Sequence, residues 1–227
     1  EIDFMGVGLI ATPRLAIGFN DTIAWSHTVS TALRFTFFRL DLVPGDSMTY
    51  LVGDEARAIE AIEVAVETDA GIENRTVYLT HLGPVVAGPN TPWDDQHVYV
   101  MRDVNYENYR TGDQYAAMQR ATDVTQLRQA LADHQGAAFV NTIAADKAGG
   151  ALYADMSAIP NVSVELISRC AVDQSAGARI TTLNGSDPSC DWQVDASAAA
   201  PGLMPPSQQP SLITTTYAGN SNDSYWL

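Results

Sequence analysis

Residues 18–32 read Gly18-Phe-Asn-Asp-Thr-Ile-Ala-Trp-Ser-His-Thr-Val-Ser-Thr-Ala32, and they decide the fold of this chain. Apolar residues lead into the glycine, the Asn-Asp pair that follows favours a tight turn, and a β-rich run comes next. Because side chains alternate along a strand, Ile23 and Trp25 are expected on one buried face. The residues alone therefore predict a buried hairpin with a polar tip.

Further antiparallel strands are predicted on both sides of this hairpin. Residues 1–104 contain short strand-like runs separated by turn sequences at Pro44-Gly45-Asp46, Asp69-Ala70-Gly71 and Gly83-Pro84. In one of these runs, residues 62–67, branched apolar side chains alternate with glutamate and alanine. This alternation predicts a half-buried strand with an acidic outer face.

The periodicity changes after Asp113, where a helical pattern begins. Asp123 is the expected N-cap of a second helix over residues 124–134. Strands are predicted again at residues 139–144, 151–155 and 213–217, and a loop is predicted at residues 195–210. A many-stranded antiparallel sheet with helices added after it belongs to the α+β class.

The composition excludes several classes of function. Hydrophobic residues make up 46% of the 227 residues, which is enough for a substantial core. Asp and Glu outnumber Lys and Arg by 27 to 12, giving a net charge of −15. Such a chain repels polyanions, so no nucleic-acid partner is expected. No run of about 18 apolar residues is present, so no membrane span is predicted.

The two cysteines, Cys170 and Cys190, flank a polar loop rich in Gly, Ser and Asp. Their spacing matches no metal or redox motif, and the sequence has no third thiol. We predict one disulfide that closes this loop. A disulfide would imply an oxidising compartment, periplasmic or secreted. Two unrelated buried thiols are the alternative.

Common catalytic and metal-binding motifs are absent from the sequence. Gly45-Asp-Ser-Met-Thr49 departs at its last position from the Gly-x-Ser-x-Gly elbow of α/β-hydrolases. The four histidines lack metal-ligand spacing. Residues 103–107 alternate like half a calcium loop, but Asn108 and Gln114 stand where that loop needs Gly and Glu. No metal site and no cofactor are therefore predicted.

A second informative stretch lies at the other end of the chain. It reads Tyr217-Ala-Gly-Asn-Ser-Asn-Asp-Ser-Tyr-Trp-Leu227 and, taken alone, predicts a turn after a strand. Together with the Ala-Trp-Ser-His-Thr strand that ends at Thr28, its Asn-x-Asn-Asp-Ser segment resembles the penicillin-acylase-type N-terminal nucleophile (Ntn) hydrolases. Residues 25–29, residues 159–162 and the two cysteines are more similar to the acyl-homoserine lactone and aculeacin-type acylases of that family.

This resemblance implies an αββα-type Ntn sandwich of antiparallel sheets and an oxyanion hole made by two donors. Val29 would give its backbone N–H and Asn222 its side-chain amide to the negative oxygen formed in acyl transfer. The nucleophile would be the N-terminal serine of a processed β-chain, with its own α-amine as base, and should lie before Glu1. An Arg of the family should lie beyond the Asn motif. The family's calcium carboxylates correspond to Leu33 and Thr36 here, so no calcium is expected.

The resemblance also implies that residues 1–227 are a single partial domain, an internal portion of a β-chain truncated at both ends. Its partner would be the α-chain of the same processed precursor, and the chain alone would be inactive. The expected activity is removal of an acyl chain from an N-acylated small molecule. An N-acyl-homoserine lactone is the favoured substrate (quorum quenching), and a β-lactam or lipopeptide acyl amide is the alternative. Composition alone favours a competing hypothesis, a non-catalytic, secreted, acidic β-rich binding or structural module.

Overall fold

The computed structural model describes residues 3–8, 14–172 and 181–226, and antiparallel strands make up most of its regular structure. The strands are β1 (Met5–Val7), β2 (Ile17–Phe19), β3 (Ile23–Val29), β4 (Phe35–Val43), β5 (Asp46–Val52), β6 (Glu55–Ala58), β7 (Glu60–Thr68), β8 (Gly71–Thr80), β9 (Gly83–Pro84), β10 (His97–Asp103), β11 (Val140–Asp146), β12 (Ala151–Ala154), β13 (Thr182–Asn184) and β14 (Ser211–Thr214). The helices are α1 (Thr111–Met118), α2 (Val124–His134) and α3 (Val164–Cys170), with 3-10 turns at Pro188–Cys190 and Pro206–Gln208.

The polypeptide divides into two compact units. The first unit is drawn from Glu1–Arg34, Val104–Asn161 and Gln193–Leu227, and the second from Phe35–Asp103 and Val162–Trp192. Each of the two segments that form the second unit is flanked by residues of the first unit that hydrogen-bond to each other through their backbones. The Val104 N–H donates to the Arg34 carbonyl at 2.9 Å. The Gln193 N–H donates to the Asn161 carbonyl at 3.0 Å.

The first unit is organised around the predicted hairpin. Its six-stranded sheet has the order β1-β2-β3-β11-β12-β14, and all neighbours are antiparallel. At the turn, the Asn20 side chain accepts hydrogen bonds from the N–H groups of Thr22 and Ile23, both at 2.9 Å. Ile23 and Trp25 are each 3% exposed, so the prediction of one buried face is confirmed.

The core of the first unit lies between this sheet and the two helices α1 and α2. Trp25 of β3, Leu152 of β12 and Leu127 of α2 belong to one buried cluster. Burying a Leu-sized side chain contributes about 1.5–3 kcal/mol, so this layer stabilises the central strands. The Asp123 side chain caps α2 by accepting from the Gln126 N–H at 2.8 Å, as the sequence predicted.

The second unit contains two further sheets. One has the order β10-β4-β5-β6, with β13 pairing parallel to β4 on its other side, and the other has the order β7-β8-β9. Phe38, Leu40 and Leu42 of β4 are buried, and Phe35 and Phe37 are half-buried. A disulfide joins Cys170 at the end of α3 to Cys190 in the 3-10 turn, with the two Cα atoms 5.5 Å apart.

The α+β class and the antiparallel sheets agree with the sequence prediction, but several details differ. Strand β7 is exposed on both faces rather than half-buried, because alternation fixes which residues share a face but not whether another layer covers it. The last strand occupies Ser211–Thr214 and not residues 213–217. Helix α3 and strand β13 were not predicted, and both are short. The longest helix in the described part of the chain has eleven residues, and none there could span a membrane.

Candidate active site

The structure brings Val29 and Asn222, which lie 193 residues apart in sequence, into direct contact. Val29 is the last residue of β3, and Asn222 lies in the loop that follows β14. The Val29 backbone N–H donates a hydrogen bond to the Asn222 side-chain oxygen Oδ1 at 2.9 Å. The two residues that the family resemblance singled out therefore form one cluster in the first unit.

Strand pairing fixes the position of Val29. It lies opposite Val140 at the end of the seven-residue register between β3 and β11. The next residue, Ser30, donates its N–H to the Phe139 carbonyl at 2.8 Å, which continues the pairing by one residue. Val29 itself is 58% exposed in this chain. Its N–H thus lies at the end of a paired strand, at the surface of this chain.

A network of short-range hydrogen bonds shapes the loop that carries Asn222. Its N–H donates to Asn220 Oδ1 at 2.8 Å, and Asn220 Nδ2 donates to the Asp223 carbonyl at 3.0 Å. The Ser221 N–H donates to Asp223 Oδ1 at 2.8 Å. Asn222 has φ +66°, a left-handed conformation that Asn tolerates better than most side chains. This explains why the sequence of the loop consists of short polar residues.

The Val29–Asn222 contact places a backbone N–H beside a side-chain amide. A backbone N–H and a side-chain amide at one point are the donors that stabilise an oxyanion. In the present arrangement, however, the Asn222 carbonyl oxygen occupies the Val29 N–H. Both donors could bond to one further oxygen only if Asn222 Oδ1 released the Val29 N–H and the amide turned its Nδ2 toward that oxygen. In this structure the Asn222 side chain therefore blocks the Val29 donor.

A buried carboxylate lies next to both segments. Asp155 is 1% exposed, and its Oδ2 accepts from Ser30 Oγ at 2.9 Å and from the Trp226 indole Nε1 at 2.6 Å. Burial raises the pKa of the Asp155 carboxyl, and the hydrogen bonds from Trp226 and Ser30 oppose that rise. Among the described residues, Asp155 Oδ1 has no hydrogen-bond partner. The sequence did not single out Asp155, which is the last residue of the strand predicted at residues 151–155.

Burial keeps two other titratable side chains of this sheet neutral, those of Tyr153 and His27. Burial raises the pKa of the Tyr153 hydroxyl, and the charge of Asp155 adds to the effect. Burial lowers the pKa of His27, whose Nδ1 lies 3.2 Å from Thr142 Oγ1 and from the Asn141 carbonyl. At neutral pH the phenol therefore keeps its proton, and the imidazole is uncharged.

A groove borders the loop that carries Asn222. We call it the tyrosine-lined groove, because Tyr153, Tyr217 and Tyr225 line it together with Leu212 and neighbouring residues of the loop. Its volume is about 360 Å³. The Tyr153 and Tyr225 rings meet edge to face, with centroids 4.8 Å apart. Rings with polar tips offer an apolar surface that also accepts polar groups.

The residues at the family's calcium positions do not fit that ion. Leu33 has no oxygen in its side chain, and the Thr36 hydroxyl accepts from the Trp192 indole N–H at 2.8 Å. Across the part of the chain that the structure describes, no group of three or more His, Cys, Asp or Glu side chains is placed to hold a metal.

The family assignment follows from comparison with known proteins. The family model described as penicillin amidase matches residues 1–226. The chain belongs to the penicillin amidase family. The matched residues include both the end of β3 and the loop that carries Asn222.

Two kinds of family members are similar over the whole chain. It is 38% identical to an acyl-homoserine lactone acylase PvdQ of Pseudomonas syringae pv. syringae over 233 residues, which cover 100% of this chain and 30% of that protein. The corresponding protein of Pseudomonas putida is 40% identical with the same coverage. The aculeacin-A acylase of Actinoplanes utahensis is 41% identical over 232 residues, which cover 99% of this chain and 29% of that protein. The chain thus spans less than a third of the length of these penicillin amidase relatives.

A solved structure supports the fold. The thermostable penicillin G acylase from Alcaligenes faecalis superposes with a TM-score of 0.71 at 17% identity, covering 100% of this chain and 39% of that one. The chain therefore has the penicillin acylase fold, in agreement with the sequence prediction of an Ntn-hydrolase architecture.

Proposed function

We propose that the chain is part of the β-chain of an Ntn-type acylase that hydrolyses the amide bond of an N-acylated small molecule. The contact between the Val29 N–H and Asn222 Oδ1 carries this proposal, because it places a backbone donor next to an amide whose Nδ2 is a second donor. The similarity to acyl-homoserine lactone acylases at 38–40% identity supports N-acyl-homoserine lactones as the substrate class.

The proposed chemistry is acyl transfer to an N-terminal serine and then to water. The serine hydroxyl attacks the acyl carbonyl while its own α-amine takes the proton, and the amine of the substrate leaves with that proton. Val29 and Asn222 would hold the oxygen that becomes negative in the tetrahedral intermediate. The tyrosine-lined groove beside the Asn222 loop offers an apolar surface for the substrate.

Ser26, Ser30 and Ser47 do not suit the role of nucleophile. Ser30 is buried and its hydroxyl is engaged, since it donates to Asp155 and accepts from the Ala32 N–H at 3.0 Å. Ser26 and Ser47 lie within strands and have no free α-amine. We therefore place the nucleophile in another part of the precursor, and we expect the 227-residue chain alone to be inactive.

The location and partner follow from the same proposal. We propose a periplasmic or secreted enzyme made as a precursor, in which an α-chain from the same polypeptide completes the protein. The Cys170–Cys190 disulfide supports an oxidising compartment, where such bonds persist. Secretion and processing are tested by N-terminal sequencing of both chains from the native host.

The deciding experiment uses the complete, processed gene product and a panel of acyl amides. N-acyl-homoserine lactones of several chain lengths, penicillin G and an aculeacin-type lipopeptide are compared by kcat/KM, with the Asn222→Gly variant as control. Fastest hydrolysis of a lactone amide, lost in the variant, supports the proposal. Fastest hydrolysis of the lipopeptide favours the alternative suggested by the aculeacin-A acylase relative. No hydrolysis of any amide by correctly processed protein favours a non-catalytic module.

A further inference from the structure

A buried amide lies directly behind the Val29–Asn222 pair. Asn141 of β11 is 0% exposed and lies opposite Thr28 in the strand register. Its Nδ2 is 3.1 Å from each of three acceptors, which are Thr28 Oγ1, the Val29 carbonyl and Asn220 Oδ1. Its Oδ1 accepts from the Tyr153 hydroxyl at 3.0 Å. Both ends of the amide are therefore used.

The three acceptors belong to two different segments. Thr28 and Val29 end the strand that presents the backbone donor. Asn220 lies two residues before Asn222 in the loop that presents the side-chain donor. Its Oδ1 also accepts from the Asn222 N–H at 2.8 Å and from Thr28 Oγ1 at 2.6 Å. Asn141 Nδ2 thus connects the strand to the loop at the point where each carries its donor.

We propose that Asn141 is a positioning residue, whose side-chain amide fixes the Val29 strand end and the Asn222 loop relative to each other so that both donors meet one acyl oxygen. This inference rests on the proposed function and deepens it. Asn141 does not touch the substrate in this scheme. It acts through Val29 and Asn222.

The chemistry of the pocket requires an amide at position 141. A carboxylate would direct a negative oxygen at three acceptors, and an apolar side chain would remove the bonds that Asn141 makes to all three and to the Tyr153 hydroxyl. A buried polar group without a partner is costly. The Tyr153 hydroxyl remains a donor at neutral pH, since burial raises its pKa. It therefore holds Asn141 Oδ1 on its own side and turns Nδ2 toward the site.

A merely structural amide and a positioning amide differ in one measurable way. If Asn141 acts through the Asn222 donor, its effect on kcat must disappear once that donor is removed. If Asn141 only stabilises the fold, its effect must be the same with or without Asn222. A double-mutant cycle separates the two, because coupled residues are not additive.

The cycle uses the processed full-length enzyme with Asn141→Asp, Asn222→Gly and the double variant. We expect Asn141→Asp to lower kcat about 10–100-fold, with KM within about threefold, because one donor of the oxyanion site is misplaced. In the Asn222→Gly background the same change should lower kcat less than threefold. An equal loss in both backgrounds, or no loss in the first, overturns the inference.

Two further variants keep the test decisive. Gln135→Glu changes another fully buried amide of the first unit, whose bonds go to the Met204 carbonyl and the Ala199 N–H, so it should lower thermal stability without lowering kcat. If Asn141→Asp does not yield processed protein, Tyr153→Phe takes its place in the cycle, with an expected several-fold loss of kcat and the same non-additivity. Near-normal kcat in Asn222→Gly would instead refute the proposed function itself, whatever Asn141 does.

Discussion

Replacing Asn222 tests the oxyanion assignment most directly, and the backbone of the loop decides which replacement to use. Asn222 has φ +66°, a conformation that costs most side chains about 1–2 kcal/mol and glycine nothing. Asn222→Gly therefore removes the amide without backbone strain. Asn222→Ala removes the same amide but adds strain, and Asn222→Asp keeps the shape while placing a carboxylate beside the developing negative charge.

The expected magnitude follows from the loss of one donor. Removing a single oxyanion donor costs about 10²–10³ in kcat, or about 2.7–4 kcal/mol of transition-state stabilisation. KM should behave differently, because Asn222 Oδ1 occupies the Val29 N–H in the free protein. Deleting it frees that donor for the ground-state carbonyl. Since a neutral hydrogen bond contributes about 0.5–1.5 kcal/mol net, KM should stay the same or fall by about tenfold or less.

The assay is steady-state kinetics on processed enzyme, with the extent of processing measured by mass spectrometry. We expect Asn222→Gly to lower kcat about 10²–10³-fold without raising KM, and Asn222→Asp to be at least as impaired. If fully processed Asn222→Gly keeps a near-normal kcat, residues 217–227 form only a turn and the site assignment is wrong. A large rise in KM with unchanged kcat would show that Asn222 binds the ground state instead.

Three further results are expected. Val29→Ala should keep kcat within about threefold, because Val29 acts through its backbone N–H. Replacing Cys170 and Cys190 together by Ser should lower the free energy of unfolding by about 3 kcal/mol, and thiol counting under denaturing, non-reducing conditions should find no free thiol in the parent protein. Asp155→Asn should keep an acceptor oxygen for Ser30 and Trp226 and should raise the thermal unfolding temperature at neutral pH. Because burial raises the pKa of Asp155, the stability it contributes is present at low pH and is lost as pH rises through that pKa, so the gain should vanish in acid.

Each of these results has a clear contrary outcome. A loss of more than tenfold in Val29→Ala would mean that the side chain, not the backbone, matters. Two free thiols in freshly secreted protein would refute the disulfide, and the serine variant should not respond to dithiothreitol. For Asp155→Asn, the unfolding temperatures of variant and parent are compared at pH 3 and at pH 7. If the variant unfolds at a lower temperature by the same margin at both pH values, ionisation of Asp155 does not limit stability.

The fold was predictable from sequence where local signals are strong. The Asn-Asp turn after Gly18, the buried pair Ile23 and Trp25, and the Asp123 cap each depend on a few neighbouring residues, and each is present in the structure. Helix α3 and strand β13 are short, and β13 is placed by its parallel pairing with the distant strand β4. Periodicity cannot identify such elements, nor can it show that a strand such as β7 lies uncovered.

The candidate site was only partly predictable, for a different physical reason. Val29 and Asn222 came from a family resemblance, since no local pattern joins residues so far apart. Asn141 lies inside β11 and Asp155 directly follows β12, and both were missed because a buried polar residue in such a place looks like any other until its partners are known. One usable signal existed: Asn141 and Thr142 interrupt an apolar run over residues 139–145, and a buried polar residue at such a position needs a partner.

The two backbone hydrogen bonds at the base of the second unit have a consequence for how this family can vary. Arg34 pairs with Val104, and Asn161 pairs with Gln193. Each segment of the second unit therefore leaves the first unit and returns to it at a hydrogen-bonded pair of residues. Lengthening a loop whose ends are already held together costs only about 0.6 kcal/mol for each doubling. Insertions and deletions between those anchor points should therefore be tolerated while the strand end at Val29 and the loop at Asn222 keep their geometry. Divergence in sequence and length is expected to concentrate there.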